Sequence, residues 1–283
     1  MNTLSDTGGK PSTSTVLELV ELARTSALRA GELIRTQRPD RPLVAATKSS
    51  PTDVVTAMDR AVEELLKDLL GGARPQDGLL GEEGGGRPGT SGVTWVLDPI
   101  DGTVNYLYGL PSYAVSVAAV LGDPSVPGAW TPLAGCVHNP QTQETWTAGA
   151  GLGADLNGVP LTVQEPPPLS ACLVATGFGY CEDRRARQAE VLARLLPRVR
   201  DVRRLGCASI DLCMVASGRV DGYYERGLNS WDIAAGVLVA REAGAVVRGL
   251  GGRPAGPEFV LAAAEPLCGE LAGHLADLGA DRD

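Results

Sequence analysis

The sequence predicts a mixed helix-and-sheet protein in two parts, α+β over the first half and α/β over the second. Three observations carry this reading. Apolar residues recur at helical spacing near the N-terminus, and a run of strand-like segments divided by glycine- and proline-bearing turns follows. Beyond about residue 164, helical and strand-like stretches alternate. The chain has 283 residues, 43% hydrophobic and 21% charged, enough for one large domain or two packed halves.

Residues 1–14, rich in Ser, Thr and Gly, read as a flexible tail. Val16, Leu19, Val20, Ala23, Ala27, Ala30 and Ile34 then mark an amphipathic helix, and a second helix is expected from about Thr56 to Leu70, stopping at Gly71-Gly72. "GLLG", "VTWVLDPIDG", "YAVSVAAVLG", "LAGCVHNP", "ETWTAGA" and "GADLNGVPLTV" read as strands, with Asn157-Gly158 a hairpin turn. "QEPPPLS" breaks the pattern and divides the halves, 15–163 from 164–283. The second half alternates strand "ACLVATGF", helix "RARQAEVLARLLPRV", helix "SIDLCMVASGRV", strand "DGYYE", helix "WDIAAGVLVAREAG", strand "EFVLAAA" and a last helix, "PLCGELAGHLADLG".

A net charge of −9 argues against a general nucleic-acid or anionic-membrane surface. Only two histidines occur, so metal chemistry would have to lean on oxygen ligands. Six cysteines form no C-x-x-C pair, no apolar leader opens the chain, and no stretch is apolar for long enough to span a membrane. A cytoplasmic protein with reduced thiols is the expectation.

The stretch "WVLDPIDGT" reads in two ways, as a strand-to-turn connection with Asp98 a cap and Asp101-Gly102 turn filler, or as part of a cation site. Asp98 and Asp101 stand three apart at the end of an apolar run, split by Pro99, where two like charges are costly unless a cation lies between them. If the chain turns at Pro99, both carboxylates and the Ile100 carbonyl face one space, a half-cage for a hard divalent cation. Gly102-Thr103 then opens the next element with unpaired backbone N–H groups, a seat for phosphate. Taken singly, Glu82 reads as a surface loop acid, Asp232 as a helix-capping acid and Asp59 as a solvated helix position. It is their occurrence together that asks for another reading.

The blocks "GEEGGG", "WVLDPIDGTVNYLYGLPSYAVSVA" and "GLNSWDIAAGVLVAREAGA", with "VVTAMDRAVEELL" and "RRLGCASIDLCMVASGRVDGYYE", resemble the inositol monophosphatase family of Mg²⁺-dependent phosphatases, over about residues 17 to 263. The resemblance implies a layered αβαβα sandwich of the inositol monophosphatase and fructose-1,6-bisphosphatase type, a homodimer, and a small phosphorylated polyol or sugar-like substrate. It implies that Glu82, Asp98 and the Ile100 carbonyl hold one Mg²⁺, that Asp98, Asp101 and Asp232 hold a second, and that Lys48 lies in a loop tied to a looser third ion. By the same resemblance Thr103, bonded to Asp59, orients the attacking water, the Gly102 and Thr103 N–H groups bind phosphate, and Asp101, Ala208 and Glu225 contact the substrate. Close alternatives are phosphatases for histidinol phosphate, fructose 1,6-bisphosphate or 3′-phosphoadenosine 5′-phosphate, and, from another class, a non-catalytic regulatory or nucleic-acid-binding relative. A bisphosphate would call for further arginines, of which Arg203, Arg204 and Arg226 are candidates. Cys207 and Cys213 read as packing residues, His138 as a strand-end structural residue, "EDRRARQ" as a solvated helix start, and the loop at 122–132 as surface variation remote from the motifs.

Overall fold

The computed structural model describes residues 11–40, 42–48, 50 and 53–282, so residues 1–10 of the expected tail lie outside the described residues. Helix α1 (Thr13–Gln37) begins under Ser12, whose hydroxyl accepts from the Thr15 N–H, and so takes in residues that composition assigned to the tail. Strands β1 (Val44–Thr47) and β2 (Val54–Thr56) pair as an antiparallel hairpin. Helix α2 (Ala57–Ala73) follows and runs through Gly71-Gly72 rather than stopping there. A glycine weakens a helix by about 1 kcal/mol without breaking it, and the Arg74 N–H still reaches the Leu70 carbonyl.

An eight-stranded sheet is built from β3 (Gly78–Gly81), β4 (Gly85–Arg87), β5 (Val93–Asp101), β6 (Ala114–Gly122), β7 (Trp130–Asn139), β8 (Glu144–Gly149), β9 (Gly153–Leu156) and β10 (Val159–Pro160). Its order is β10-β9-β8-β7-β6-β5-β3-β4, and β3 and β5 are its parallel pair. A short helix, α3 (Thr103–Tyr108), leaves β5. Asp155 accepts from the Thr147 hydroxyl and from the Gly158 N–H at 2.7 Å, which ties down the Asn157-Gly158 turn.

The rest of the chain supplies β11 (Leu173–Thr176), α4 (Glu182–Leu195), β12 (Asp201–Arg203), α5 (Ala208–Ala216), β13 (Gly222–Glu225), α6 (Ser230–Glu242), β14 (Val246–Arg248), β15 (Val260–Ala263) and α7 (Leu267–Asp277). Its sheet is ordered β12-β11-β13-β15-β14. Helix α3 and strands β1, β4, β12 and β14 have no counterpart in the sequence reading. Each is at most six residues long, too short for a period to show.

Strand alternation turns these elements into layers. On β5 and β6, Trp95, Leu97, Val115, Val117 and Ala119 face one way, onto α1 and α2. Val96, Ala114, Ala118 and Val120 face the other way, onto Ile210 and Cys213 of α5 and Ala234, Ala235 and Leu238 of α6. The same two helices turn Leu212, Ile233 and Val237 toward Ala175, Tyr223, Val260 and Ala262 of the smaller sheet. That sheet's outer face, with Val174, Leu261 and Ala263, packs on α4 and α7. The order is therefore helix, sheet, helix, sheet, helix, the αβαβα sandwich that the resemblance implies. Helices α5 and α6 are apolar nearly all round because they are covered on both sides.

One expectation about the acidic turn changes. Pro99 does not end the strand; β5 continues to Asp101. Asp98 pairs with Ser116 and Asp101 with Ala114, so one extra residue is accommodated on β5 as a bulge. A bulge tolerates a residue with no N–H to donate, and it re-aims the side chains on either side. The turn comes one residue later, at Gly102, whose φ of 91° is left-handed.

Candidate active site

The acids scattered along the sequence meet where β3 and β5 end and where α2, α5 and α6 begin. Carboxylate oxygens of Asp98, Asp101 and Asp232 lie within 4.8 Å of one another. Glu82, directly after β3, borders the same cavity, of about 480 Å³, together with Ile100, Gly102, Thr103, Ala208 and Glu225. Lys48, just past β1, also lines it, its Nζ lying 2.8 Å from Glu82 Oε1 and pairing with Glu83 as well.

Each central acid has one oxygen held by the chain. Asp98 Oδ1 accepts from the Ile100 N–H at 3.1 Å, across the bulge. Asp101 Oδ2 accepts from the Ser209 N–H at 2.7 Å, at the start of α5. Asp232 Oδ2 accepts from the Asn229 N–H at 2.6 Å, so Asp232 completes a capping box for α6. Asp59 does the same for α2: its Oδ2 takes the Thr56 N–H at 2.8 Å and the Thr56 hydroxyl, while Oδ1 lies 3.1 Å from Thr103 Oγ1. Capping therefore does not exclude a second role for Asp232 and Asp59, because it uses one oxygen of each.

Thr103 Oγ1 is also 3.0 Å from the Ile100 carbonyl, and with a single proton it can donate fully to only one of its two acceptors. Gly102 is the N-cap of α3, so its N–H and that of Thr103 belong to the group that a helix start leaves without intrahelical partners. A Cβ at Gly102 would come within 2.9 Å of the Ser112 carbonyl oxygen, so besides its φ the site has no room for a side chain there.

The electrostatics are those of crowded, dehydrated acids. Burial pushes the carboxyls of Asp98 and Asp232 well above the usual range, with neighbouring Glu82 and Asp101 adding to it. Asp101 is also raised by burial, against the pull of the donors from Ser209, Cys207 and Ala208. Burial carries Glu82 up to about 7, with Lys48 opposing the rise. Burial works against the Lys48 ammonium, but Glu82 and Glu83 outweigh it and hold its pKa above the ordinary lysine value. Glu225, across the cavity, is pushed up to about 7 by burial, while a 2.8 Å bond from the Tyr223 hydroxyl opposes the rise. Its carboxylate packs on Gly177, where a Cβ would fall 1.9 Å from Oε2.

Other residues at the site were passed over in sequence. Cys207 is more than packing: its Sγ lies 3.1 Å from Asp101 Oδ2 and donates to it. Arg184, from the supposedly solvated "EDRRARQ", lines the cavity with Arg204 and Arg226, whereas Arg203 is exposed and paired with Asp201. Phe178 and Tyr180 stand at the same wall, with the Arg204 guanidinium 6.0 Å from the Phe178 ring centre. Neither aromatic carries a motif, so only the fold could place them. The loop at 122–132 is not remote either, since Pro124, Pro127 and Trp130 share a cavity wall with Asn229 and Trp231, next to Asp232. His138 is where it was expected, near the end of β7, bonded through Nδ1 to Thr145 Oγ1 at 2.9 Å. No helix among the described residues is long and apolar enough to cross a membrane.

Comparison with known proteins agrees with this geometry. The inositol monophosphatase family model matches residues 16–281. The chain is 49% identical to an inositol-1-monophosphatase SuhB of Mycobacterium tuberculosis over 228 residues, 77% of this chain and 76% of that protein. It is 37% identical to the Nus factor SuhB of Escherichia coli over 232 residues, 81% of this chain and 84% of the other. Among solved structures, Mycobacterium tuberculosis SuhB superposes with a TM-score of 0.78 at 42% identity, over 93% of this chain and 97% of that one. A Thermotoga maritima IMPase gives 0.79 at 27% identity, over 93% and 99%. With the family model matched over residues 16–281 and relatives 37–49% identical over more than three quarters of this chain, the chain belongs to the inositol monophosphatase family.

Proposed function

We propose that this protein hydrolyses a phosphate monoester, inositol monophosphate before others, to an alcohol and inorganic phosphate, with Mg²⁺ as its cofactor. The observation that carries the proposal is the convergence of Asp98, Asp101 and Asp232 within 4.8 Å beside the Gly102-Thr103 helix start. Two buried acids and a half-buried third so close repel one another unless cations lie among them, and an all-oxygen donor set suits a hard divalent ion. Glu82, Asp98 and the Ile100 carbonyl would hold one Mg²⁺, and Asp98, Asp101 and Asp232 a second. Such ions supply positive charge against a dianionic phosphate and make water a better nucleophile near neutral pH.

The chain's own groups do the rest. The Gly102 and Thr103 N–H groups bind phosphate oxygens. When the Thr103 hydroxyl donates to Asp59, its oxygen accepts a hydrogen bond from the attacking water and aims it, and Asp59 draws the proton away. Ala208 and Asp101 face the alcohol from the α5 side, and Glu225 accepts hydroxyl hydrogen bonds from the opposite wall. A fixed carboxylate favours a polyol over a second phosphate, although Arg184, Arg204 and Arg226 keep bisphosphates within the competing set. The homodimer is part of the same proposal, as is the place of Lys48 in a loop beside a third ion. The complete acid set favours catalysis over a binding-only relative.

The test is phosphate release from inositol 1-phosphate, histidinol phosphate, fructose 1,6-bisphosphate and 3′-phosphoadenosine 5′-phosphate across a Mg²⁺ series. Inositol 1-phosphate should lead, activity should vanish in chelator, and Asp98→Asn should lower the rate at least about a hundredfold. A different leading substrate overturns the polyol reading of Glu225. No release from any ester at any Mg²⁺ level overturns the catalytic reading.

A further inference from the structure

A second cavity, of about 450 Å³, lies between α4, the end of β13 and the C-terminal turn after α7. It holds none of the clustered acids, yet shares Arg184, Glu225 and Arg226 as common walls with the active-site cavity. Its size is within the ordinary range for small-molecule sites. The floor is apolar, with Val191 beside the Tyr224 and Phe259 rings, which stack at 6.1 Å and 13°.

The rim is cationic. Arg187, Val191 and Arg194 stand three, seven and ten positions beyond Arg184, so at 3.6 residues per turn all four share one stripe of α4. Arg282 approaches from the C-terminal turn. Glu190 pairs with Arg187 at 3.0 Å, but Arg194 and Arg282 meet no carboxylate among the described residues. Arg194 and Arg282, both exposed, thus bring positive charge with no paired acid among the described residues to the edge of an apolar floor, in a chain of net charge −9. Planar guanidinium forks match phosphate oxygens two at a time.

We propose that this cavity binds an organic anion with a flat apolar body and a phosphate-bearing end, of the nucleoside phosphate class. The body would lie on the Val191–Tyr224–Phe259 floor, and the phosphates between Arg194 and Arg282. The proposal does not depend on which ester the acid cluster hydrolyses.

The experiment is a fluorescence titration of the full chain with N-methylanthraniloyl-ADP, in chelator, at 0.05 and about 0.3 M salt. Chelator removes metal-assisted binding at the acid cluster, and the cavity variants assign what remains. Saturable binding at one site per chain is expected, weakened by salt and by about tenfold in Arg194→Ala/Arg282→Ala. Ala193 is exposed and lines the same cavity, so Ala193→Trp should block the site without removing a charge. Asp98→Asn should leave probe binding unchanged, and the arginine variant should release phosphate like the parent, which shows that it is folded. No saturable binding overturns the proposal. So does binding that survives both cavity variants, or binding lost only with Asp98→Asn.

Discussion

At the scale of single residues, the site depends on splitting the work of each carboxylate between its two oxygens. Asp101 shows this best, because Oδ2 takes the Ser209 N–H and the Cys207 thiol, which leaves Oδ1 for the proposed metal centre. Burial and the Asp101 charge push the Cys207 thiol well above its usual pKa, so it stays S–H and remains a donor. A thiol is a weak donor, and its loss should be felt but not fatal. Cys207→Ala should lower kcat or raise the Mg²⁺ needed for half-maximal rate by about fivefold, the worth of roughly 1 kcal/mol. Cys207→Ser restores a donor and should stay close to the parent. Steady-state rates over a Mg²⁺ series decide it: an alanine variant indistinguishable from the parent would show the thiol to be packing after all. The sequence could place Cys207 beside Ala208, but not against Asp101, which is 106 positions away.

At the scale of elements, helix starts carry much of the site. Capping boxes open both α2 and α6, and the N3 acid of each has a second contact, Asp59 with Thr103 and Asp232 with the acid cluster. Thr56→Val removes the hydroxyl that holds Asp59 Oδ2. It should cost about 1 kcal/mol of stability, or about 2–4 °C in melting temperature. If that hydroxyl also aims Asp59 at Thr103, kcat falls by about tenfold, and Thr56→Ser recovers both quantities. A lower melting temperature with kcat intact would leave Thr56 a structural cap only. The motifs made Asp98, Asp101 and Gly102 legible, since the Asp-Pro-x-Asp-Gly run, itself open to a plain turn reading, occurs together with the Glu82 and Asp232 blocks. They could not show that Pro99 sits in a bulge, because whether β5 continues depends on its pairing with β6. Nor could α4 announce that Arg184 faces a cavity: its charge pattern is that of a solvated helix, and only packing decides which charges turn inward.

At the scale of the whole molecule, the alternation of apolar residues was legible, but the central place of α5 and α6 rested on the resemblance, since apolar helices say only that they are buried. That central layer brings acids from distant segments into one dehydrated wall, and this couples metal, pH and stability. Glu82 and Glu225 sit up at about 7, and Asp98, Asp101, Asp211 and Asp232 are also raised, in every case chiefly by burial. A carboxyl raised in the folded state binds its proton more tightly there than in the unfolded chain. Folding therefore takes up protons between the unfolded pKa, near 4, and the folded one, and stability falls as pH rises through that interval. Surface acids run the other way, as with Glu144, held low by Arg219, but their contribution is already complete above about pH 5. In chelator the protein should melt at least about 5 °C higher at pH 5.5 than at pH 8. On the proposed reading Mg²⁺ binds the ionised acids of the folded state alone, so it should raise the melting temperature strongly at pH 8 and much less at pH 5.5, where protons compete. Differential scanning calorimetry at both pH values, with and without Mg²⁺, measures all four corners. If Mg²⁺ stabilised equally at both, the clustered carboxylates would not be its ligands. If the chelated protein were more stable at pH 8, their burial would carry no electrostatic penalty, and the case for a cation among them would fail with it.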